Sequence, residues 1–309
     1  MTIKETRDAY LTSLPGVKSE NTIKAYSSAL DRFIAFVGDD TPIEQIGKEQ
    51  IEKYRSYLLA DGCSPNGAAD YLNKAKIFFE WAVVRGYVAV NPIATKDLPK
   101  KREIEYNLLS KEQIEQILAD APKKVRGMAR KNRARNVAIV RVLVCSGLRN
   151  AELRALTVGD LDFERGTIRV RHGKGDKYRL TPFPAPAREA VAAYLEEQTA
   201  AGNPLGAEQT LFGSSADASG HDQPGAWHPM SAVALEKMVG AYTAAVCGNS
   251  VCVHALRHAA ASYWDDLGVG MRDVQNALGH ASIRTTERVY VKRLNKGKSA
   301  AAINAAFGA

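Results

Sequence analysis

Val253 to Tyr290 reads VHALRHAAASYWDDLGVGMRDVQNALGHASIRTTERVY. Two histidines, His254 and His258, bracket Arg257 within one helical turn; a third, His280, follows, and Tyr290 stands in a basic, threonine-rich segment. Arginine and histidine can clamp and polarise a phosphoryl group. A tyrosine hydroxyl becomes a nucleophile once its proton is removed. The grouping therefore points to chemistry on a phosphate, with the remaining parts to be sought elsewhere in the chain. Thr285 and Thr286 are poor helix-interior residues, so a loop or helix start is expected just before Tyr290.

Upstream of this stretch, Ser231 to Val246 has helical character, and Gly213 to Pro229, rich in Gly, Ser, Ala and Asp, reads as a surface loop. Pro186 to Thr199 is a further helix. Thr167 to Arg171 and Tyr178 to Phe183 alternate apolar with basic residues, and Gly173, Lys174, Gly175 and Asp176 lie between them. That pattern predicts a hairpin with Lys174 at its tip. Asn136 to Cys145, NVAIVRVLVC, is nearly all apolar, which fits a buried helix or a buried strand. Ser110 with Gln113 three residues on forms a capping-box pattern for another helix.

Between Lys123 and Arg135, KKVRGMARKNRAR holds seven lysines and arginines and no acid. With no counter-charge nearby, Lys123, Lys124, Arg126, Arg130, Lys131, Arg133 and Arg135 read as a phosphate-facing surface. Asn91-Pro92, followed by Lys96, Pro99, Lys100, Lys101 and Arg102, is short of apolar residues and reads as a basic linker, whose Lys100, Lys101 and Arg102 could also track a DNA backbone. Before it the chain is all helical. Ser19 can cap a helix carrying Ile23, Tyr26, Leu30, Phe33, Ile34 and Val37; a second follows Ile46; Ser64-Pro65-Asn66 restarts the chain into a third that runs to Gly86. The first 18 residues read as a mobile lead-in that could end in helix. The expected organisation is an N-terminal helical domain over residues 1–94, a basic linker over 95–108, and a second domain with a C-terminal tail over 109–309.

Composition agrees with a folded protein and a polyanionic partner. A chain of 309 residues exceeds the usual single-domain size, and 45% hydrophobic with 25% charged residues is ordinary for a globular protein. The net charge of +8 and pI of about 9.2 favour nucleic acid. No apolar run approaches the roughly 18 residues that cross a bilayer, and MTIKETRDAY lacks a signal-peptide core, so the expected location is cytoplasmic, away from membranes. Cys63, Cys145, Cys247 and Cys252 are too scattered for a disulfide framework and read as buried free thiols.

The residues carry a resemblance at this point: the chain resembles the tyrosine recombinases of the phage integrase family. SGLRNAELRALTVGDLD places Arg149 in the family's first arginine position with Glu152 three residues on. Lys174 in GKGDKYR matches the hairpin lysine, His254 and Arg257 in HALRH match the His-x-x-Arg box, His280 matches the Leu-Gly-His box, and Tyr290 matches the nucleophile. Tyr290 stands ten residues after His280, where many members have one fewer, and Lys292 takes a place where histidine is common. The resemblance spans Arg149 to Tyr290; the N-terminal helices are similar to the family's core-binding domain only in general pattern.

The resemblance implies a mainly α fold with a small β-hairpin or sheet, whose two domains, the first a DNA-binding domain and the second the catalytic domain, close as a C-shaped clamp around double-stranded DNA. It implies a site-specific recombinase acting through a 3′-phosphotyrosyl intermediate and a Holliday junction, as in the DNA integration of mobile elements, and a homotetramer on two DNA sites, with a need for accessory proteins left open. Arg149 and Arg257 would neutralise the phosphate oxygens. A phenol with an ordinary pKa near 10 needs an acceptor, which His254 would supply; His280 would donate to a non-bridging oxygen, and Lys174 would protonate the departing 5′ oxygen. From the residues alone the two histidines are interchangeable. Glu152 would support Arg149, and His258 would be a packed histidine orienting His254. Energy stays in the ester, so no cofactor is expected. A metal site is the rival reading of His254 and His258, but Ala255 stands where the HExxH mechanism needs glutamate, so no metal is expected. Other readings are a type IB topoisomerase or telomere-resolving enzyme with the same chemistry, and a non-catalytic DNA-binding relative. The tail from Gly297 to Ala309 fits docking on a neighbouring subunit or on its own domain equally.

Overall fold

The computed structural model describes residues 1–99, 108–119, 132–172, 177–203, 205–214 and 227–279. The chain divides into two units, Met1–Glu105 and Tyr106–Ala309. The first is a bundle of α1 (Ile3–Thr12), α2 (Glu20–Val37), α3 (Lys48–Ala60) and α4 (Pro65–Val84). Local chemistry starts each of the longer helices: Ser19 Oγ accepts from Thr22 N at 3.3 Å, and Ser64 Oγ accepts from Gly67 N at 3.1 Å with Pro65 in the first turn. Phe33, Tyr54, Phe78 and Phe79 fill the core, with Phe33 and Tyr54 meeting at 4.8 Å between ring centroids.

Two expectations for this unit need correction. The N-terminal residues, expected as a lead-in that could end in helix, are helical almost from their start, as the capped α1. Thr2 Oγ1 accepts from Glu5 N at 3.1 Å while the Glu5 carboxylate accepts from Thr2 N at 3.0 Å, and Tyr10 is buried against Tyr26, Phe78 and Trp81. Nor is Asn91-Pro92 a solvated joint. The Asn91 side chain donates to Lys76 O and accepts from Ile93 N, both at 2.9 Å, and Ile93 is buried in the bundle core. Leu98 still packs against that core.

The second unit is built on α6 (Arg133–Ser146), in which every residue from Asn136 to Ser146 except Arg141 is buried. A helix apolar all round is one enclosed on all sides, which settles the choice between buried helix and buried strand. Around it stand α5 (Lys111–Ala119), α7 (Asn150–Ala155), α8 (Ala185–Ala200), α9 (Ala232–Cys247), α10 (Val253–Asp266) and α11 (Met271–Leu278). Ser110 and Gln113 cap α5 reciprocally, at 2.9 and 3.3 Å.

The expected hairpin is present as β2 (Thr167–His172) and β3 (Lys177–Pro182), joined by a short edge strand, β1 (Leu161–Asp162), in the antiparallel order β1-β2-β3. Register places Val170 opposite Arg179 and Arg171 opposite Tyr178. Opposed residues share a face. Val170 and Arg179 therefore point inward, while Arg169, Arg171, Tyr178 and Leu180 point outward; Arg169 and Arg171 each bring Nε to Asp160 Oδ1, at 3.2 and 2.9 Å. Reciprocal bonds of 2.7 and 2.8 Å between Ser146 and the Thr181–Pro182 stretch pin β3 to the end of α6.

The stretch expected as a plain surface loop is also corrected at its ends. Gly213–Ser214 (β4) pairs with His228–Pro229 (β5), and Trp227 Nε1 donates to Thr210 O at 2.8 Å. All four cysteines are free, as expected, but only Cys145 is buried; Cys63 and Cys247 are half-buried and Cys252 is exposed.

Candidate active site

The site begins where α6 stops. Gly147 takes a left-handed backbone, φ +59°, which ends α6 and turns the chain through buried Leu148 into Arg149, the residue preceding α7. Glu152 lies in the first turn of α7 and reaches back. Its carboxylate accepts from Arg149 N at 2.8 Å and from Arg149 Nη1 at 2.7 Å. Glu152 thus holds Arg149 by both its backbone and its side chain. The Arg149 side chain remains 42% exposed, so it can still meet a ligand.

α10 brings the second group. Cys252 Sγ accepts from Ala255 N at its start, at 3.4 Å. Arg257 faces the core and is only 3% exposed, while His254 faces solvent and His258 is half-buried. Arg257 Nη1 donates to Gly147 O, its Nη2 donates to Leu278 O at 2.6 Å, and Nη1 lies 3.8 Å from Glu152 Oε2. His254 and His258 meet edge to face with their Nε2 atoms 3.0 Å apart. His258 is thus a half-buried hydrogen-bond partner of His254. Among the described residues no three His, Cys, Asp or Glu side chains gather as a metal-binding set.

Two participants were not anticipated from the sequence. Arg179 of β3 donates through Nη1 and Nη2 to the two oxygens of Glu152, at 2.9 and 2.8 Å, and through Nε to Ala277 O at 3.0 Å. Glu236 of α9 accepts from Val253 N at 2.9 Å and from Asn150 Nδ2 at 3.0 Å, tying α10 to α7. The outward-inward alternation of Tyr178 to Phe183 is the sequence signal that could have drawn attention to Arg179.

The end of α11 closes the arrangement. Three successive carbonyls, of Ala277, Leu278 and Gly279, accept from Arg179, Arg257 and Arg149 respectively. Helix C-termini carry unpaired carbonyls and partial negative charge, so three guanidiniums satisfy that end in bonds and in charge.

The electrostatics follow from this crowding. Burial alone would raise the Glu152 carboxyl, but hydrogen bonds from Arg179 and the Arg149 backbone, with the Arg179 charge, hold it at about 2. Burial, then the neighbouring Arg149 charge, pushes Arg257 down to about 10 against the pull of Glu152, which leaves it cationic at neutral pH. His254 is lowered by partial burial, then by Arg257 and Arg149, so it is neutral at pH 7 and can accept a proton.

Of the expected phosphate-facing arginines, Arg133 is exposed, but Arg135 is turned into the fold. Its Nη1 donates to Gly213 O at 2.9 Å, and burial lowers its pKa. A guanidinium spent on an internal carbonyl is a structural group, and this corrects its placement on the basic surface. Lys174, His280 and Tyr290 lie outside the described residues, as do Lys100, Lys101, Arg102, Lys123, Lys124, Arg126, Arg130 and Lys131.

Known proteins resemble the chain over nearly its whole length. The phage integrase family model matches residues 107–296, and the model of the phage integrase N-terminal SAM-like domain matches residues 16–87. Tyrosine recombinase XerC of Mycobacterium sp. (strain JLS) is 31% identical over 284 residues, which cover 91% of this chain and 90% of that protein. Among solved structures, the Tn1549 transposon integrase in complex with transposon right end DNA aligns over 94% of this chain and 95% of its own with a TM-score of 0.71 at 20% identity. A lambda integrase tetramer bound to a Holliday junction aligns over 94% of this chain and 77% of its own with a TM-score of 0.69 at 17% identity. These two structures are similar in fold. A family match across both units, joined to a relative of this identity over 91% of the sequence, means that the chain belongs to the phage integrase family.

Proposed function

We propose that the chain is a site-specific DNA recombinase of the tyrosine type, and that its six acting residues are Arg149, Lys174, His254, Arg257, His280 and Tyr290. The observation that carries this reading is the gathering of Arg149 and Arg257 about the Glu152 carboxylate, with Arg149 still open to a ligand and both guanidiniums near enough to His254 to lower its pKa. Tyr290 Oη attacks the scissile phosphorus and forms a 3′-phosphotyrosyl ester as the bond to the 5′ oxygen breaks. His254 takes the phenol proton. Lys174 gives a proton to the departing 5′ oxygen, and Arg149, Arg257 and His280 carry the charge that builds on the non-bridging oxygens. The 5′ hydroxyl of a partner strand then attacks the ester and displaces Tyr290. Two such exchanges make and resolve a Holliday junction. Because the ester conserves the bond energy, no step draws on a nucleotide cofactor or metal.

The partner is double-stranded DNA, to which the domains over residues 1–94 and 109–309 both bind; the basic residues of the linker at 95–108 and of the run from Lys123 to Lys131 are the candidates for backbone contacts. The assembly is a homotetramer on two sites, a reading supported by the lambda integrase tetramer. Similarity to XerC favours strand exchange over simple relaxation of supercoils. No helix among the described residues is long and apolar enough to cross a membrane, and the protein is read as acting in the cytoplasm. Two plasmid-borne copies of a DNA site selected by binding to the purified protein, incubated with that protein, should yield recombinant joints. Nicked or relaxed plasmid with no exchanged joints would count against recombination.

A further inference from the structure

Arg179 matches none of the six acting positions, yet it has the most fully occupied guanidinium of the site. Its side chain is 10% exposed, it grips both oxygens of Glu152, and its Nε holds Ala277 O. A fork-to-carboxylate pair of this kind fixes the plane of the carboxylate as well as its distance. That same carboxylate holds the backbone and the side chain of Arg149. On its other side Arg179 lies under the last turn of α11. A Cβ built on Gly279, whose φ is +64°, would stand 2.9 Å from Arg179 Cδ. The chain thus passes over this guanidinium at the residue before His280.

The structure assigns Arg179 as a positioning residue for DNA cleavage: it locks Glu152 in the plane that aims Arg149, and it clamps the end of α11 from which the chain runs into His280. The assignment rests on the recombinase reading above. What Arg179 supplies is geometry more than charge, because Arg149 and Arg257 remain beside Glu152 without it. Lysine would keep the charge but present one point where three directed bonds are needed.

The test is single-turnover cleavage of a suicide substrate carrying a DNA site selected by binding to the wild-type protein, by the full-length wild type, Arg179→Lys, Glu152→Gln and the double variant. Arg179→Lys is expected to cleave about 100-fold more slowly, the scale set by small misplacements of reacting groups. Its affinity for the same DNA should stay within about twofold, because the loss falls on the step and not on binding. The double variant should be no slower than Glu152→Gln alone, since residues acting as one unit are not additive. A folded Arg179→Lys enzyme cleaving within about threefold of wild type overturns the assignment, as do losses that multiply in the double variant. Should Arg179→Lys fail to fold, the wild type decides through nuclear magnetic resonance of its arginine side chains. An Arg179 Nε–H protected from solvent exchange and shifted when substrate DNA binds supports the assignment; one exchanging like an exposed arginine overturns it. Wild-type protein that never cleaves would refute the recombinase reading itself, a result distinct from any of these.

Discussion

The Nε2 atoms of His254 and His258 stand 3.0 Å apart, so one ring must donate to the lone pair of the other. Two protonated nitrogens cannot face each other across that gap. The pair therefore admits one bridging proton, and partial burial with Arg257 and Arg149 nearby already depresses His254 below the ordinary histidine value of 6.5. If His254 takes the phenol proton, cleavage requires its neutral form. The acid limb of the single-turnover cleavage rate is expected below pH 6.5 and to move in His258→Gln. The stability effect has the same sign: a depressed folded-state pKa gives a contribution that is complete above 6.5 and is lost as pH falls through the folded value. An acid limb above 6.5, unmoved by His258→Gln, would contradict the role given to the pair.

Glu152 is the anion on which Arg149, Arg179 and Arg257 converge. Removing its charge leaves the two inner guanidiniums buried without a counter-ion. Glu152→Gln is expected to cost about 3–5 kcal/mol in urea unfolding of the catalytic unit, the range for breaking a buried pair from one side. Its carboxyl is held down at about 2 from 4.5, so its contribution is complete above 4.5 and lost as pH falls toward 2. Wild-type and Glu152→Gln proteins should converge in stability through that acid window.

Gly147 links the two halves of the site. Its carbonyl accepts from Arg257, its φ is +59°, and an added Cβ would stand 2.6 Å from Leu278 Cδ2 and 3.2 Å from Trp264. Gly147→Ala is expected to lose about 1–3 kcal/mol from the left-handed backbone alone. It should also slow cleavage, because the methyl group presses on the end of α11. Thermal unfolding together with a cleavage time course measures both effects.

The basic run from Lys123 to Arg135 separates into two kinds of residue. Arg135 is engaged with Gly213 O inside the fold, so Arg135→Gln is expected to lower stability by about 1–3 kcal/mol. It should leave the salt dependence of DNA binding unchanged. Arg130→Gln is expected to reduce the slope of log affinity against log salt by about one, as for one lost phosphate contact. DNA titrations at several salt concentrations distinguish the two.

Features written in local chemistry were legible in the sequence. Ser19, Ser64, Ser110 and Ser231 cap the helices they were expected to start, because a capping hydroxyl needs only a backbone N–H two or three residues on. The alternation of β2 and β3 carried its period plainly, whereas the apolar run of α6 signalled burial without a period that told helix from strand. Features set by distant partners were not legible. Arg179 meets a carboxylate 27 residues away, a pairing decided by strand register and by where α7 begins. β1, β4 and β5 are two-residue strands that exist only through pairing. Arg135 looked like its neighbours because composition cannot tell which arginine of a basic run turns inward. α1 was expected only as the end of a lead-in, although Thr2 and Glu5 spell its capping box, because its buried apolar residues Ile3 and Tyr10 are too sparse for a clear period.

The central claim is that Tyr290 becomes covalently joined to DNA. A nicked suicide substrate carrying a DNA site selected by binding to the protein lets the short fragment with the 5′ hydroxyl diffuse away and traps the intermediate. Wild-type protein is expected to give a protein–DNA adduct that resists denaturation, and peptide mapping should place the nucleotide on Tyr290. Tyr290→Phe should bind the same DNA and give no adduct, whereas an adduct that persists in Tyr290→Phe, or one mapped to another residue, would contradict the account.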